Sequence, residues 1–323
     1  MSLVYLFIAF LLLILFGMLY SEVIAVSVSD LVASWLQTRS VTLAPSTVSG
    51  YRRLHRLYVA GTRVGRLPID ELNGSDMVEL LKPLIDRGCT RQAQLLQVLV
   101  SAALKSAIKR RRLYFNPMDE IDHVKHKSVS TAWLRPDQAR QLLASSAEAN
   151  DPYFIAWLLM LCCGLRRSEV LALKWSDIDE ARQLLHVQRQ RIVVDGVELI
   201  TRPKSLSSVR DIPLDDHVLT LLRLHAGPND DILGGVSHKM LADALDRALL
   251  RAQLPRVTLH GLRHSMAAVA AGDGIPVKIL QGLLGHAHYQ TTADIYAHVD
   301  QAPRIEAVHL ITKSLLGTRL EIV

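Results

Sequence analysis

Cysteine is scarce. The 323-residue chain has three: Cys89, Cys162 and Cys163, an odd number with two of them adjacent. No disulfide framework and no CxxC metal signature can be built from them. That points to a reducing, cytosolic setting and to thiols that act as small buried hydrophobes. A basic n-region is missing from the N-terminus, and no small-residue cleavage site follows, which argues against a cleaved signal peptide. An acidic excess is missing too. Lys and Arg number 37 against 31 Asp and Glu, for a formal charge of +6, a balance that favours an anionic partner such as nucleic acid without proving one. Half of the residues are apolar and 21% are charged, which excludes a disordered chain. The length suits two domains, each with its own core.

Charge is also absent from Leu3 to Tyr20, an aliphatic and phenylalanine run interrupted only by Gly17 and two tyrosines. As a helix it would span about 27 Å, close to the thickness of a bilayer core. Two readings of residues 1–26 stand side by side. One is a single membrane anchor, with Arg39, Arg52 and Arg53 on its C-terminal side keeping the rest of the chain cytoplasmic. The other is a later start at Met18, which would delete nearly the whole run.

From Ser27 the pattern turns helical. In VSVSDLVASWLQ, Ser29 or Asp30 offers an N-cap ahead of Leu31, Val32, Trp35 and Leu36. Pro45-Ser46-Thr47 opens a second helix with Tyr51, Leu54, Leu57 and Tyr58 beside Arg52, Arg53 and Arg56. GTRVGRLPIDEL reads as a turn-rich connection. Ser75 to Asp86 is a third helix, interrupted by Pro83. Thr90 to Arg112 is a long fourth, halted at Asn116-Pro117. Basic residues on such a four-helix domain suit phosphate contacts, although Lys109 to Arg112 equally suit a solvated helix end that complements the dipole. The domain is expected over 27–118, with a polar linker over 119–131.

The remainder, 132–323, reads as helices around short alternating runs, with a hairpin at Asp195-Gly196. It contains an ordered set of polar residues: Arg166, Lys204, His260, Arg263, His286 and Tyr296. Arginine can clamp two nonbridging phosphate oxygens at once, which an ammonium cannot. Glu169, three residues after Arg166, can orient its guanidinium, although the same pair would make an ordinary surface ion pair. A mobile lysine near a leaving oxygen can donate a proton. His260 and Arg263 are three apart and share one helix face. His260 and His264 have the i, i+4 spacing of zinc helices, but the usual Glu and a third ligand are absent, and Arg263 would repel a cation. His264 is therefore read as structural, and His288 and His298 as structural or DNA-facing. Gly285 can end one helix just before His286. A tyrosine hydroxyl such as that of Tyr296 is a nucleophile able to attack a phosphodiester.

The stretches CGLRRSEVLALKWSDID, PKSLSSVRDIPL, HGLRH and LGHAHYQTTADIYAHV resemble the catalytic boxes of tyrosine recombinases, the phage-integrase family. PSTVSGYRRL, GRLPIDEL and the closing NP resemble that family's core-binding domain, so the likeness runs from about Ser27 to Val299. It implies a mainly α fold with a small β-sheet (α+β), a helical core-binding domain followed by a tyrosine-recombinase catalytic domain. It implies a site-specific recombinase that needs neither metal nor nucleotide. Tyr296 would attack the scissile phosphate to give a 3′-phosphotyrosyl link. Arg166 and Arg263 would stabilise the growing charge, Lys204 would protonate the leaving 5′-oxygen, His260 and His286 would position the phosphate and move protons, and Glu169 would support them. Implied partners are double-stranded DNA, further copies of the chain up to a tetramer, and an accessory directionality factor. The expected location is the cytoplasm at the nucleoid, or an inner-membrane tether if residues 3–20 are expressed. Cys162-Cys163 stand where a small polar residue often precedes the GLR box, and Ser205 where threonine is common; neither change removes a catalytic group. No arm-type DNA-binding domain is visible before Ser27. The amphipathic tail after Tyr296 is expected to pack on a neighbouring protomer. Two other readings remain open from sequence: type IB topoisomerase-like relaxation, and a catalytically silent DNA-binding protein.

Overall fold

A computed structural model describes residues 26–126, 132–203, 206–227 and 229–296. The chain divides into two units, Met1–Ser128 and Val129–Val323.

The described part of the first unit is helical: α1 Val28–Arg39, α2 Pro45–Tyr58, the single turn α3 Arg63–Arg66, α4 Gly74–Ile85 and α5 Thr90–Lys109. The cap of α1 is Ser27, not Ser29 or Asp30. Its hydroxyl accepts from the Asp30 backbone N–H at 3.1 Å, which leaves Asp30 in the first turn, where its charge suits the positive helix end. The connection expected after α2 contains α3. Asn73 and Asp76 form a reciprocal capping box that starts α4, satisfying two otherwise unpaired backbone donors. Helix α5 stops earlier than expected. Arg111 turns the chain left-handed at φ 57°, and Asn116-Pro117 instead opens a 3-10 turn over Pro117–Glu120. Leu31, Met77, Leu84, Leu96, Val100 and Leu104 meet in this unit's core. The polar stretch that follows stays tied to α5, because Gln97 donates to Asp122 O and accepts from Val124 N.

The second unit carries α6 Pro136–Glu148, α7 Phe154–Cys162, α8 Arg167–Val170, β1 Ile178–Asp179, β2 Leu184–Val187, β3 Gln190–Val194, β4 Val197–Thr201, β5 Arg210–Pro213, α9 Asp216–Leu224, α10 His238–Arg251, α11 Leu259–Gly272, α12 Val277–Leu284 and α13 Tyr289–Tyr296. Helix α7 is apolar on every side and buried from Phe154 to Leu161, as an all-round hydrophobic helix must be. It is the post on which α6 and α11 pack. Strands β1, β2 and β5 form one antiparallel sheet in the order β1-β2-β5, and β3 pairs with β4. The β3–β4 hairpin turns where expected, with Val194 opposite Val197 and both Asp195 and Gly196 at positive φ, the backbone that a two-residue hairpin turn requires. The mainly helical α+β class expected from the sequence is the class found.

Candidate active site

The last turn of α12 organises the site. The final carbonyls of a helix have no partner inside it, and the helix dipole makes that end negative. Here three consecutive carbonyls each receive a different arginine. Arg210 Nε donates to Leu283 O, Arg263 Nη2 to Leu284 O and Arg166 Nη2 to Gly285 O, all at 2.6 Å. The three come from different elements: Arg210 opens β5, Arg263 lies on α11 and Arg166 caps α8. Gly285 makes the gathering possible. It sits at φ 64°, and a Cβ there would lie 2.8 Å from Ser207 O and 3.1 Å from the Arg210 side chain. Any other residue would strain the backbone and push the arginines apart.

Arg263 is almost fully buried, at 2% exposure. Its Nη1 donates to Gly164 O at 2.6 Å, so its guanidinium hangs between two neutral carbonyls. Burial, then the charge of Arg166, pull its pKa down to about 9, against the opposing pull of Glu169. It stays protonated at neutral pH. Arg166 is held differently: Nη1 donates to Glu169 Oε1 at 2.6 Å, and its backbone N–H donates to Glu169 Oε2 at 2.8 Å. Glu169 is buried. Burial pushes its carboxyl up, but the hydrogen bonds and charge of Arg210 and the charge of Arg166 outweigh that and hold it below the usual carboxylate range.

Arg166, Arg263 and His260 line one cavity of about 450 Å³, with Arg167 and Arg256 among its other walls. His260 lies on α11 one turn before Arg263, and burial followed by the charges of Arg263, His264, Arg166 and Arg167 lowers its pKa. His286 follows Gly285 directly. Its Nδ1 pairs with the hydroxyl of buried Thr292 at 2.9 Å, and its backbone carbonyl accepts from Gln281 Nε2 at 3.0 Å. Burial, then Arg263, Arg166, His260 and Arg210, take its pKa down to about 4. Both imidazoles are therefore neutral at pH 7, each able to accept or donate one proton. A phosphate oxygen fits guanidinium forks of this kind.

The model of the phage integrase family matches residues 132–302. The chain belongs to the phage integrase family. Family relatives include a tyrosine recombinase XerC-like protein of Caldanaerobacter subterraneus subsp. tengcongensis, 24% identical over 88% of this chain and 83% of that protein. A tyrosine recombinase XerC of Mycobacterium sp. (strain KMS) is 31% identical over 63% of this chain and 70% of that protein. Among solved structures, the integrase of the Tn1549 transposon, in complex with a circular intermediate DNA, superposes with a TM-score of 0.76 at 23% identity, covering 88% of this chain and 99% of that one. A lambda integrase tetramer bound to a Holliday junction gives 0.66 at 18% identity, covering 87% and 80%.

Of the residues singled out in this integrase-family sequence, the structure brings Arg166, Glu169, His260, Arg263 and His286 together around the end of α12. Lys204 lies outside the described residues. Tyr296 is the last residue of α13, a helix fastened to the site through the Thr292–His286 bond, and its side chain lies outside the description. Arg210 is the site residue the sequence reading left without a role. The signal available was its place six residues after Lys204, at the start of a strand. Among the described residues no group of His, Cys, Asp and Glu could hold a metal ion, and no helix is long and apolar enough to cross a membrane. The apolar run at residues 3–20 and the tail after Tyr296 lie outside the described residues.

Proposed function

We propose that this family member is a site-specific DNA recombinase working through a 3′-phosphotyrosyl intermediate, with Tyr296 as nucleophile. The Tyr296 oxygen forms a bond to phosphorus as the bond to the 5′-oxygen breaks. The phenolic proton leaves through a neutral imidazole, His260 or His286, and Lys204 supplies the proton taken up by the 5′-oxygen. Arg166 and Arg263 carry the charge that grows on the nonbridging oxygens. One phosphodiester replaces another, so no nucleotide is consumed, and the 5′-hydroxyl of a partner strand reverses the step.

The observation that carries this reading is the anchoring of Arg166 and Arg263 on adjacent carbonyls, Gly285 and Leu284, with His286 next in the chain. That arrangement supports one phosphate shared by all three. The relatives' names favour strand exchange over simple relaxation. Double-stranded DNA is the partner, bound by the helical unit over 27–118 and by the catalytic unit over 132–323, and copies of the chain assemble on it as a tetramer, with a directionality factor as accessory. A DNA substrate supports a location in the cytoplasm, at the nucleoid, or on an inner-membrane tether if residues 3–20 are expressed.

The test uses nicked duplexes drawn from the host genome, so that the released 5′-end diffuses away and traps the intermediate. Wild type forms a covalent adduct that survives denaturation, and Y296F forms none. Equal trapping by the two proteins would remove Tyr296 from its role, and an inert wild type would refute strand transfer.

A further inference from the structure

Glu169 presents a problem for the site. A buried carboxylate 2.6 Å from Arg166 would cancel the charge that Arg166 is to offer a phosphate. The answer lies on the other side of the carboxylate. Arg210 grips Glu169 with a two-pronged fork, Nη1 to Oε1 and Nη2 to Oε2, both at 3.0 Å. The side chains of this pair are 6% and 2% exposed, against 29% for Arg166. The fork is the stronger and better shielded pairing, and Arg166 contributes only one prong to the same carboxylate. Arg210 also donates to Leu283 O at 2.6 Å and to Ser208 O at 3.1 Å. It thus joins α8, the end of α12 and the base of the segment that carries Lys204.

We propose that Arg210 is a positioning residue of the strand-transfer site: it takes up the charge of Glu169, so that Glu169 can orient Arg166 without neutralising it. The proposal rests on the recombinase reading above. With Glu169 and Arg210 cancelling, Arg166 and Arg263 face a singly charged phosphodiester with a surplus of positive charge. The surplus is met as the nonbridging oxygens gain charge in the transition state. Without Arg210, Arg166 is the nearest cation left to Glu169, and the surplus disappears before the reaction begins.

The experiment compares wild type, R210M, R210K and the double variant E169Q/R210M on one duplex recovered from the trapping pool. The scissile link is made either as the normal phosphodiester or as a methylphosphonate, in which a methyl group replaces one nonbridging oxygen and removes the ground-state charge. On the phosphodiester, R210M slows adduct formation about 100-fold. On the neutral methylphosphonate its deficit falls below about tenfold, because less charge has to be balanced. R210K keeps the cation and stays within about tenfold of wild type on both links. E169Q/R210M removes both members of the pair, buries no unpaired charge, and has a wild-type-like ratio of the two rates. Should R210M lose its melting transition, that ratio in the double variant decides alone. A purely structural Arg210 predicts R210K as slow as R210M, and equal deficits on the two links. Either result with an active wild type overturns the role of Arg210 and leaves the recombinase standing. A wild type inert on both links overturns the recombinase reading, and this role with it.

Discussion

Arg63 in the first unit and Arg263 in the second are both firmly held, by opposite means. Arg63 sits at the surface, its side chain 56% exposed. It is gripped by carboxylates: Nη2 reaches Asp76 and Glu79, each at 2.5 Å, and Nε reaches Glu79 at 3.0 Å. Arg263 is buried and is gripped by two neutral carbonyls. Carboxylates fix a guanidinium and cancel its charge in the same act. Carbonyls fix it and leave the charge in place, at the cost of burying it. The second arrangement leaves the guanidinium free to receive an anion without a further cation to offset a carboxylate, and the opposite pKa directions record the difference. Hydrogen bonds donated to Glu79 and Asp76 raise that of Arg63 above the ordinary arginine range, while burial lowers that of Arg263.

The contrast is broken most forcefully at Arg263. Lysine keeps the charge but cannot reach Gly164 O and Leu284 O together from one planar fork. R263K is expected to cut the rate of adduct formation by about 10²- to 10³-fold. One buried carbonyl is left without its donor, lowering stability by about 1–3 kcal/mol. Single-turnover trapping and a denaturant melt measure the two effects separately. A rate near that of wild type would mean that charge alone, and not the fork, is what the site requires.

A smaller effect is expected from pH, and it sharpens the same point, because burial and then the surplus of positive charge both act on the neighbouring histidines. His286 in the folded protein titrates at about 4, below its ordinary 6.5. The unfolded chain therefore takes up a proton as pH falls through 6.5, while the folded chain resists until about 4. The stability tied to the neutral ring is present above 6.5 and is lost across that window. His260 adds to the loss in the same direction. The melting temperature of the free protein should drop as pH is lowered from 6.5 to 4, with a shallower slope in H286N. Bound DNA should flatten the slope as well, since a phosphate favours the imidazolium. An unchanged slope in H286N would show that the folded site does not hold that ring neutral.

How much of this was legible in the sequence follows from the range of each interaction. Arg166 with Glu169, His260 with Arg263, and Gly285 with His286 are local pairs, so spacing alone exposes them. Asp195-Gly196 fixed its hairpin for the same reason: the turn depends on two adjacent backbones. Arg210 could not be assigned in this way, because its partners Glu169 and Leu283 lie 41 and 73 residues away. Nothing in RDIPL distinguishes an arginine bound for a buried carboxylate from one bound for solvent. Helix ends failed on a finer scale. Ser27, Ser29 and Asp30 are all competent caps, and the choice turned on a single bond from Asp30 N. The end of α5 was decided by the left-handed Arg111, a conformation that arginine does not advertise.

The least effect is expected at Arg63, and there the comparison can fail in the other direction. Its four bonds to Asp76 and Glu79 look stronger on paper than the two that hold Arg263. Three of them run to Glu79, and both ends of that pair lie in water, 56% and 50% exposed, where each is well solvated without the other and ordering two long side chains offsets the attraction; the buried partner, Asp76, receives only one. Asp76 also keeps a second task when Arg63 is gone, since its carboxylate still accepts from Asn73 N at 3.2 Å and holds the start of α4. R63Q should therefore melt with wild type, and its adduct-forming rate should be unchanged. A clear loss of melting temperature in R63Q would mean that the exposed fork contributes as much as the buried one. The distinction between fixing an arginine with carboxylates and fixing it with carbonyls would then have to rest on charge alone.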